Sequence, residues 1–137
     1  MLYKLTNENS KSYGETLWGP GMRHEAALGG PVLCTATVIH VYRSPEVAVL
    51  FNPIHANITR PLLWECPDEP IVVKDAFQVG VKSLTTTRVI PLPTFEPVVL
   101  MRFAIYCVPD SYQDNRWRAW AANWLSGKDR SKEAAWE

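Results

Sequence analysis

A lysine inside an apolar strand, three histidines and three cysteines are the residues of this 137-residue chain that carry chemistry worth placing. Lys4 sits in Leu2-Tyr3-Lys4-Leu5-Thr6, where an ammonium needs a paired acid or a bound anion unless its stem snorkels to an edge. An edge-strand lysine is the simpler expectation. His40 falls within the β-branched run Val32 to Tyr42, which places it on a sheet face, and His55 falls in a polar loop able to present a functional side chain. Cys34 and His40 are an even number of residues apart and would point the same way from one strand. At about 3.3 Å per residue their backbones would then lie roughly 20 Å apart, too far for a nucleophile and its base. Cys34, Cys66 and Cys107 lack the close pairing of zinc or redox sites, so buried free thiols are expected. His24, His40 and His55 have no carboxylate at ligand spacing, and no metal and no cofactor is expected. Glu65, Asp68, Glu69 and Asp75 crowd the connections between middle strands and are expected to face water. Phosphate-loop, dinucleotide-fold, zinc-protease and hydrolase-elbow motifs are absent.

The elements that must position these residues follow from periodicity and breakers. Leu2 to Thr6 alternates as a first strand, with Tyr3 and Leu5 on one face. Residues 7 to 31 carry breakers from Gly14 to Pro31 and leave room for a turn or short strand near Thr16 to Trp18. Val32 to Tyr42 reads as a strand buried on both faces. Ser44, Pro45 and Glu46 then open a short helix whose inward stripe is Val47, Leu50 and Phe51, and Pro53 is expected to stop it after about two turns. Leu62 to Cys66, Ile71 to Val73, Phe77 to Leu84 and Thr86 to Pro91 read as further strands, the third wet on one side. Pro97 to Val108 is assigned to a helix by its length. Asp110 and Gln113 suggest a capping box for a last helix over Ser111 to Ser126, closed by Gly127, with a final turn at Ser131 to Trp136.

This is an α+β pattern: a mainly antiparallel sheet, a short helix after the second long strand, and one or two C-terminal helices packed on the sheet, in one globular domain spanning 1–137. Fourteen basic residues balance fourteen acidic ones, so no long-range field draws the chain to nucleic acid or an anionic membrane. Apolar runs of about five residues are far below the roughly 20 that cross a bilayer, and the amino terminus lacks the apolar core of a secretory signal. On the last helix, Trp117, Trp120 and Trp124 fall within an arc of about 60° and form an indole stripe, interleaved with Arg118. Such a stripe ordinarily seals a core. Trp and Arg are also the side chains most enriched at binding hot spots, which makes Trp117, Arg118, Trp120 and Trp124 the candidate partner-binding surface.

Several phrases together carry a resemblance: Leu2-Tyr3-Lys4-Leu5-Thr6, Leu50-Phe51-Asn52-Pro53-Ile54-His55-Ala56-Asn57, Leu63-Trp64-Glu65, Val79-Gly80-Val81-Lys82-Ser83-Leu84-Thr85-Thr86 and Trp124-Leu125-Ser126-Gly127-Lys128-Asp129-Arg130-Ser131. Spanning nearly the whole chain, they resemble an uncharacterised family of small bacteriophage-encoded accessory proteins. The resemblance implies a product made in the cytoplasm of the host bacterium. A second similarity is to the ADP-ribosyltransferase-like half-barrel, in which a first strand carries a basic residue and a later strand runs into a short helix of S-x-E-x-A character. Lys4 and Ser44-Pro45-Glu46-Val47-Ala48 match those places, with Lys4, His40 and His55 as ligand contacts. Such enzymes use a Glu on a late strand, where this chain offers Gln78.

Two expectations follow. The leading one is a binding protein that occupies a host or viral macromolecule, as host-takeover proteins and inhibitors of bacterial immune complexes do, with a protein partner, no catalytic residues and no cofactor. The alternatives are an NAD-using enzyme on the half-barrel and a structural component of the virion.

Overall fold

The computed structural model describes residues 1–136, the last two by backbone alone. The described residues form ten strands and three α-helices, and the chain divides into two compact units, Met1–Thr94 and Phe95–Glu137. The fold class is α+β, and every strand pair is antiparallel.

The larger unit is built on two three-stranded sheets. In one, β6 (Leu62–Cys66) lies between β1 (Leu2–Thr6) and β10 (Arg88–Ile90). In the other, β8 (Val79–Val81) lies between β5 (Ile39–Val41) and β7 (Ile71–Lys74). A single bridge joins them: Tyr3 N–H donates to Tyr42 O at 2.8 Å and Tyr42 N–H to Tyr3 O at 2.9 Å. The strands therefore run β7-β8-β5-β1-β6-β10, with a split after that bridge. The split has a local cause. Immediately past Tyr42 the chain turns into α1 (Pro45–His55), and Pro45 has no N–H to continue the ladder. Two small ribbons complete the unit: β2 (Lys11–Ser12) with β3 (Thr16–Leu17), and β4 (Met22–Glu25) with β9 (Ser83–Thr86).

Residues directly opposite in an antiparallel pair share a face, so the register Leu2↔Cys66, Lys4↔Trp64 and Thr6↔Leu62 puts Leu2, Lys4 and Trp64 on one side. That side holds the main core, where Leu2, Trp64 and Cys66 pack with Trp18, Val41, Val79, Val81 and Leu84. Polar groups buried here are paired. Trp64 Nε1–H donates to Thr6 Oγ1 at 3.0 Å, and Thr86 Oγ1–H donates to Gly19 O at 2.6 Å. Gly80 permits the closest approach in the sheet, because a Cβ there would lie 2.8 Å from Val73 Cγ1 and 2.9 Å from Val38 Cβ.

Several expected boundaries are corrected. Of the expected strand over Val32 to Tyr42, only Ile39–Val41 is a strand. Residues 32–37 instead turn on threonine hydroxyls: Thr35 Oγ1–H donates to Val32 O at 2.8 Å, and Thr37 Oγ1 accepts from Val32 N–H at 3.1 Å. Phe77 to Leu84 breaks at Lys82 into β8 and β9, and β8 is buried on both faces rather than wet on one. β4 pairs where only a loop was expected. Pro53 does not stop α1, which continues to His55, and the buried residues of that helix are Ala48 and Phe51, with Val47 and Leu50 only half-buried.

The smaller unit contains α2 (Pro97–Tyr106) and α3 (Asn115–Ser126). α3 begins four residues later than expected, because the cap is Asp114, whose Oδ1 accepts from Trp117 N–H at 2.8 Å. Gly127 ends it in the left-handed conformation at φ 81°. Ile105, Ala121 and Trp124 form the core of this unit, with Trp117, Trp120 and Leu125 packed against it. No helix among the described residues is long and apolar enough to cross a membrane.

Candidate functional site

The split between β1 and β5 gathers the candidate ligand contacts of the larger unit. Lys4 is not at an edge: β1 has β6 on one side and the bridge to β5 on the other. Its Nζ donates to His40 O at 3.0 Å and stands 5.8 Å from the Trp18 ring. No carboxylate pairs with it among the described residues. Burial among core side chains pulls its pKa down to about 8, against a small upward pull from Cys66. The Cys66 thiol is in turn pushed up to about 12 by burial.

His40 is committed differently. Its Nε2 accepts the Cys34 N–H at 2.7 Å, which puts the proton of the neutral ring on Nδ1. Desolvation lowers the pKa of this ring, Lys4 and His55 lower it further, and Asp75 opposes them. The turns at residues 32–37 thus bring Cys34 back against His40, a proximity that an uninterrupted strand would forbid. The Cys34 thiol is exposed, as is that of Cys107; only Cys66 is buried as expected.

His55 closes α1 instead of lying in the loop beyond it. Its Nδ1 lies 2.6 Å from the Tyr42 hydroxyl, and its ring stacks on Phe51 at 5.1 Å, which stacks on Phe77 at 4.2 Å. Burial pushes the Tyr42 phenol up to about 12. Beside these rings a cavity of about 340 Å³ is lined by Arg43, Ser44, Val47, Lys74, Asp75 and Phe77. Asp75 Oδ1 accepts from Gln78 N–H and Phe77 N–H, each at 2.8 Å, and these bonds hold its carboxyl below the usual range. Gln78 is buried where it leads into β8, with its amide nitrogen 4.0 Å from Cys34 Sγ.

Lys4, His40 and His55 are therefore brought into one region, though each already holds a partner. Tyr42 and Asp75 belong to the same region and were not singled out from sequence as ligand contacts. The signal for Tyr42 was its place immediately before the Ser44 helix start. The acids expected to face water are tied down: Glu65 to Arg88 at 2.7 Å, Glu69 to Arg23 at 2.6 Å. His24 Nε2 lies 2.6 Å from Leu17 O, and its ring is edge-on to Trp18. No cluster of three or more metal-ligating side chains occurs among the described residues.

In the smaller unit the indole stripe faces inward. Trp124 is buried, Trp117 and Trp120 are half-buried, and Arg118 is exposed with Nη1 donating to Gln113 Oε1 at 2.8 Å. Trp120 Nε1 is buried with no acceptor among the described residues. A shallow cavity of about 480 Å³ is lined by Val108, Pro109, Ser111, Tyr112 and Trp117. The apolar surface that α2 leaves exposed is the larger feature: Val98, Val99, Leu100, Met101 and Tyr106 are each 39–70% accessible.

No protein-family model, curated protein or solved structure matches this chain.

Proposed function

We propose that the larger unit is a nucleotide-binding half-barrel of the ADP-ribosyltransferase type, which holds an NAD-like dinucleotide at the split in its sheet without turning it over. The observation that carries this reading is positional: β1, with Lys4, lies against β5, and β5 runs directly into the Ser44-capped α1. Supporting it, Lys4 offers a cation with no acidic partner, Arg43 and Lys74 line the neighbouring cavity where phosphates would need charge, and the half-exposed Phe77 offers a ring to a base. Gln78 argues against turnover, because a developing oxocarbenium charge needs a positioned anion and an amide supplies none. Titration calorimetry with NAD and with ADP-ribose tests it. Saturable binding that disappears in Lys4→Met is expected; absence of heat from folded wild-type protein rejects the reading.

A second reading is favoured by the smaller unit: a phage-type accessory protein acting in the host cytoplasm by stoichiometric binding to a protein partner. The exposed apolar side of α2 and the unpaired Trp120 indole support it, since a contiguous apolar surface is where association removes most area from water. Affinity capture from infected and uninfected host lysate, repeated with Leu100→Asp and Arg118→Ala, checks it. A stoichiometric partner lost in either variant supports this reading, and its retention in both places the contact elsewhere.

A further inference from the structure

Residues 26–38 leave β4 and return to β5 as a loop that is tied down at two ends by different chemistry. At its base, Ala26 N–H donates to Lys82 O at 2.7 Å, and Ala27 N–H to Ala36 O at 2.9 Å. The Lys82 ammonium then donates to three main-chain oxygens of the loop: Thr37 O at 2.6 Å, Gly29 O at 2.8 Å and Ala27 O at 3.3 Å. At its far end one strong bond holds it, the Cys34 N–H to His40 Nε2 at 2.7 Å, assisted by the 4.0 Å approach of the Gln78 amide to Cys34 Sγ. Cys34 is held there at φ 63°, a left-handed conformation that a side chain disfavours. Leu28, almost wholly exposed, and Val32, half-exposed, contribute nothing to holding the loop down by burial.

We propose that this loop is a flap with a fixed hinge at Lys82 and a releasable latch at His40, and that protonating the His40 ring opens it. The chemistry is direct. Nε2 can accept the Cys34 N–H only while its lone pair is free; once it carries a proton, two donors face each other and the bond is lost. The hinge bonds end on carbonyl oxygens, which do not titrate in this range, so acid frees the far end and leaves the base in place. The backbone strain at Cys34 adds a bias towards leaving once the bond is gone. The groups facing His40 are Lys4 from β1, His55 from α1, Asp75 from the turn before β8, and Cys34 and Gln78 at the latch. Lys4 and His55 disfavour a second positive charge and Asp75 favours it, so together with desolvation they keep the latch closed at neutral pH and move its opening to moderately acid pH. Opening uncovers the Gln78 side chain and separates the Cys34 thiol from it. The latch does not depend on what the larger unit binds.

Amide NMR on the full-length ¹⁵N-labelled chain tests it. The His40 ring proton, the Cys34 amide shift and Cys34 hydrogen exchange, corrected for its intrinsic pH dependence, are followed together from neutral to acid pH. Cys34 protection is expected to fall by about tenfold, the scale of one hydrogen bond, with the midpoint of the His40 titration. His40→Gln retains an acceptor without a titrating group and is expected to keep Cys34 protected throughout. The rate at which a neutral alkylating reagent labels Cys34 in Cys107→Ser, corrected for thiolate fraction, is expected to rise with the same midpoint. Cys34 protection that stays constant through the His40 titration overturns the latch, as does a loss with the same midpoint in His40→Gln.

Discussion

The two units treat the same side chain in opposite ways. In the larger unit the buried Trp64 indole N–H reaches Thr6 Oγ1 at 3.0 Å and the Trp18 indole reaches Ser12 Oγ at 2.9 Å, whereas in the smaller unit the Trp120 N–H is buried without an acceptor among the described residues. Apolar surface follows the same division. β6 and β8 are almost wholly buried, while α2, the most apolar helix of the chain, buries only Ile105 completely. A sheet that opposes two strands to each central one can cover both faces of its apolar residues; two helices of ten and twelve residues can cover only the stripe where they meet. The larger unit thus has surplus polar groups to offer a ligand, and the smaller has surplus apolar surface to offer a partner.

The largest test of that contrast is Trp124→Ala. Removing a buried indole from a core made of Ile105, Ala121 and Trp124 should cost about 3 to 5 kcal/mol, comparable to the whole stability of so small a unit. Hydrogen exchange should then show the amides of α2 and α3 unprotected and those of β6 and β8 unchanged. Simultaneous loss of protection in both units would show that they unfold as one and would remove the contrast. The corresponding lesion in the larger unit is Gly80→Ala, where the added methyl meets Val73 and Val38 below 3 Å. Overpacking of this kind costs about 1 to 3 kcal/mol, and the denaturation midpoint monitored on β8 amides should fall accordingly.

How far these places were legible in the sequence depends on whether local or distant contacts decide them. β1, β6, α2 and the Ser44 cap were readable because alternation and cap chemistry lie within a few residues. The strand expected over Val32 to Tyr42 was not, since β-branched Thr35 and Thr37 spend their hydroxyls on local turns, a choice that composition does not reveal. Lys4 as an edge residue failed for another reason: its neighbours β5 and β6 come from tens of residues away, and only topology shows that the strand is interior. The region around His40 was half visible. Lys4, His40 and His55 were singled out one by one, but the return of Cys34 to His40 depends on turns that the strand reading excluded.

Lys4 gives the third test, with the opposite sign to the first two. Its pKa falls from 10.5 to about 8 on folding, so the folded chain holds that proton less tightly than the unfolded chain. Below pH 8 both states carry the charge and the desolvation cost is fully present; between pH 8 and 10.5 the unfolded state binds more protons, and stability rises with pH. Lys4→Met should therefore be more stable than wild type at pH 7, by about 1 to 3 kcal/mol after allowance for the surface the residue retains. The difference should narrow as the pH approaches 10. A variant less stable at pH 7 would mean that the bond to His40 O outweighs the buried charge. A gain in stability together with loss of nucleotide binding is the outcome the half-barrel reading requires.

The smallest expected effects compare the units most directly, because each has one side-chain helix cap of similar geometry. Ser44 Oγ accepts from Val47 N–H at 3.1 Å in the larger unit, and Asp114 Oδ1 accepts from Trp117 N–H at 2.8 Å in the smaller. Replacing either by Ala removes one acceptor from a helix N-terminus and costs about 1 kcal/mol. The surroundings differ. α1 is held by the burial of Ala48 and Phe51 and by the His55 contact to Tyr42, so Ser44→Ala should lower the melting temperature without loosening any one segment. α3 starts at its cap with little else fixing its first turn, since Asn115, Arg116 and Arg118 are exposed. Asp114→Ala should therefore fray that turn, raising hydrogen exchange at Trp117 and Arg118 while Trp124 keeps its protection. Equal, uniform losses in the two variants would show that both helices are held by packing to the same degree, and that the smaller unit is less dependent on its ends than its thin core implies.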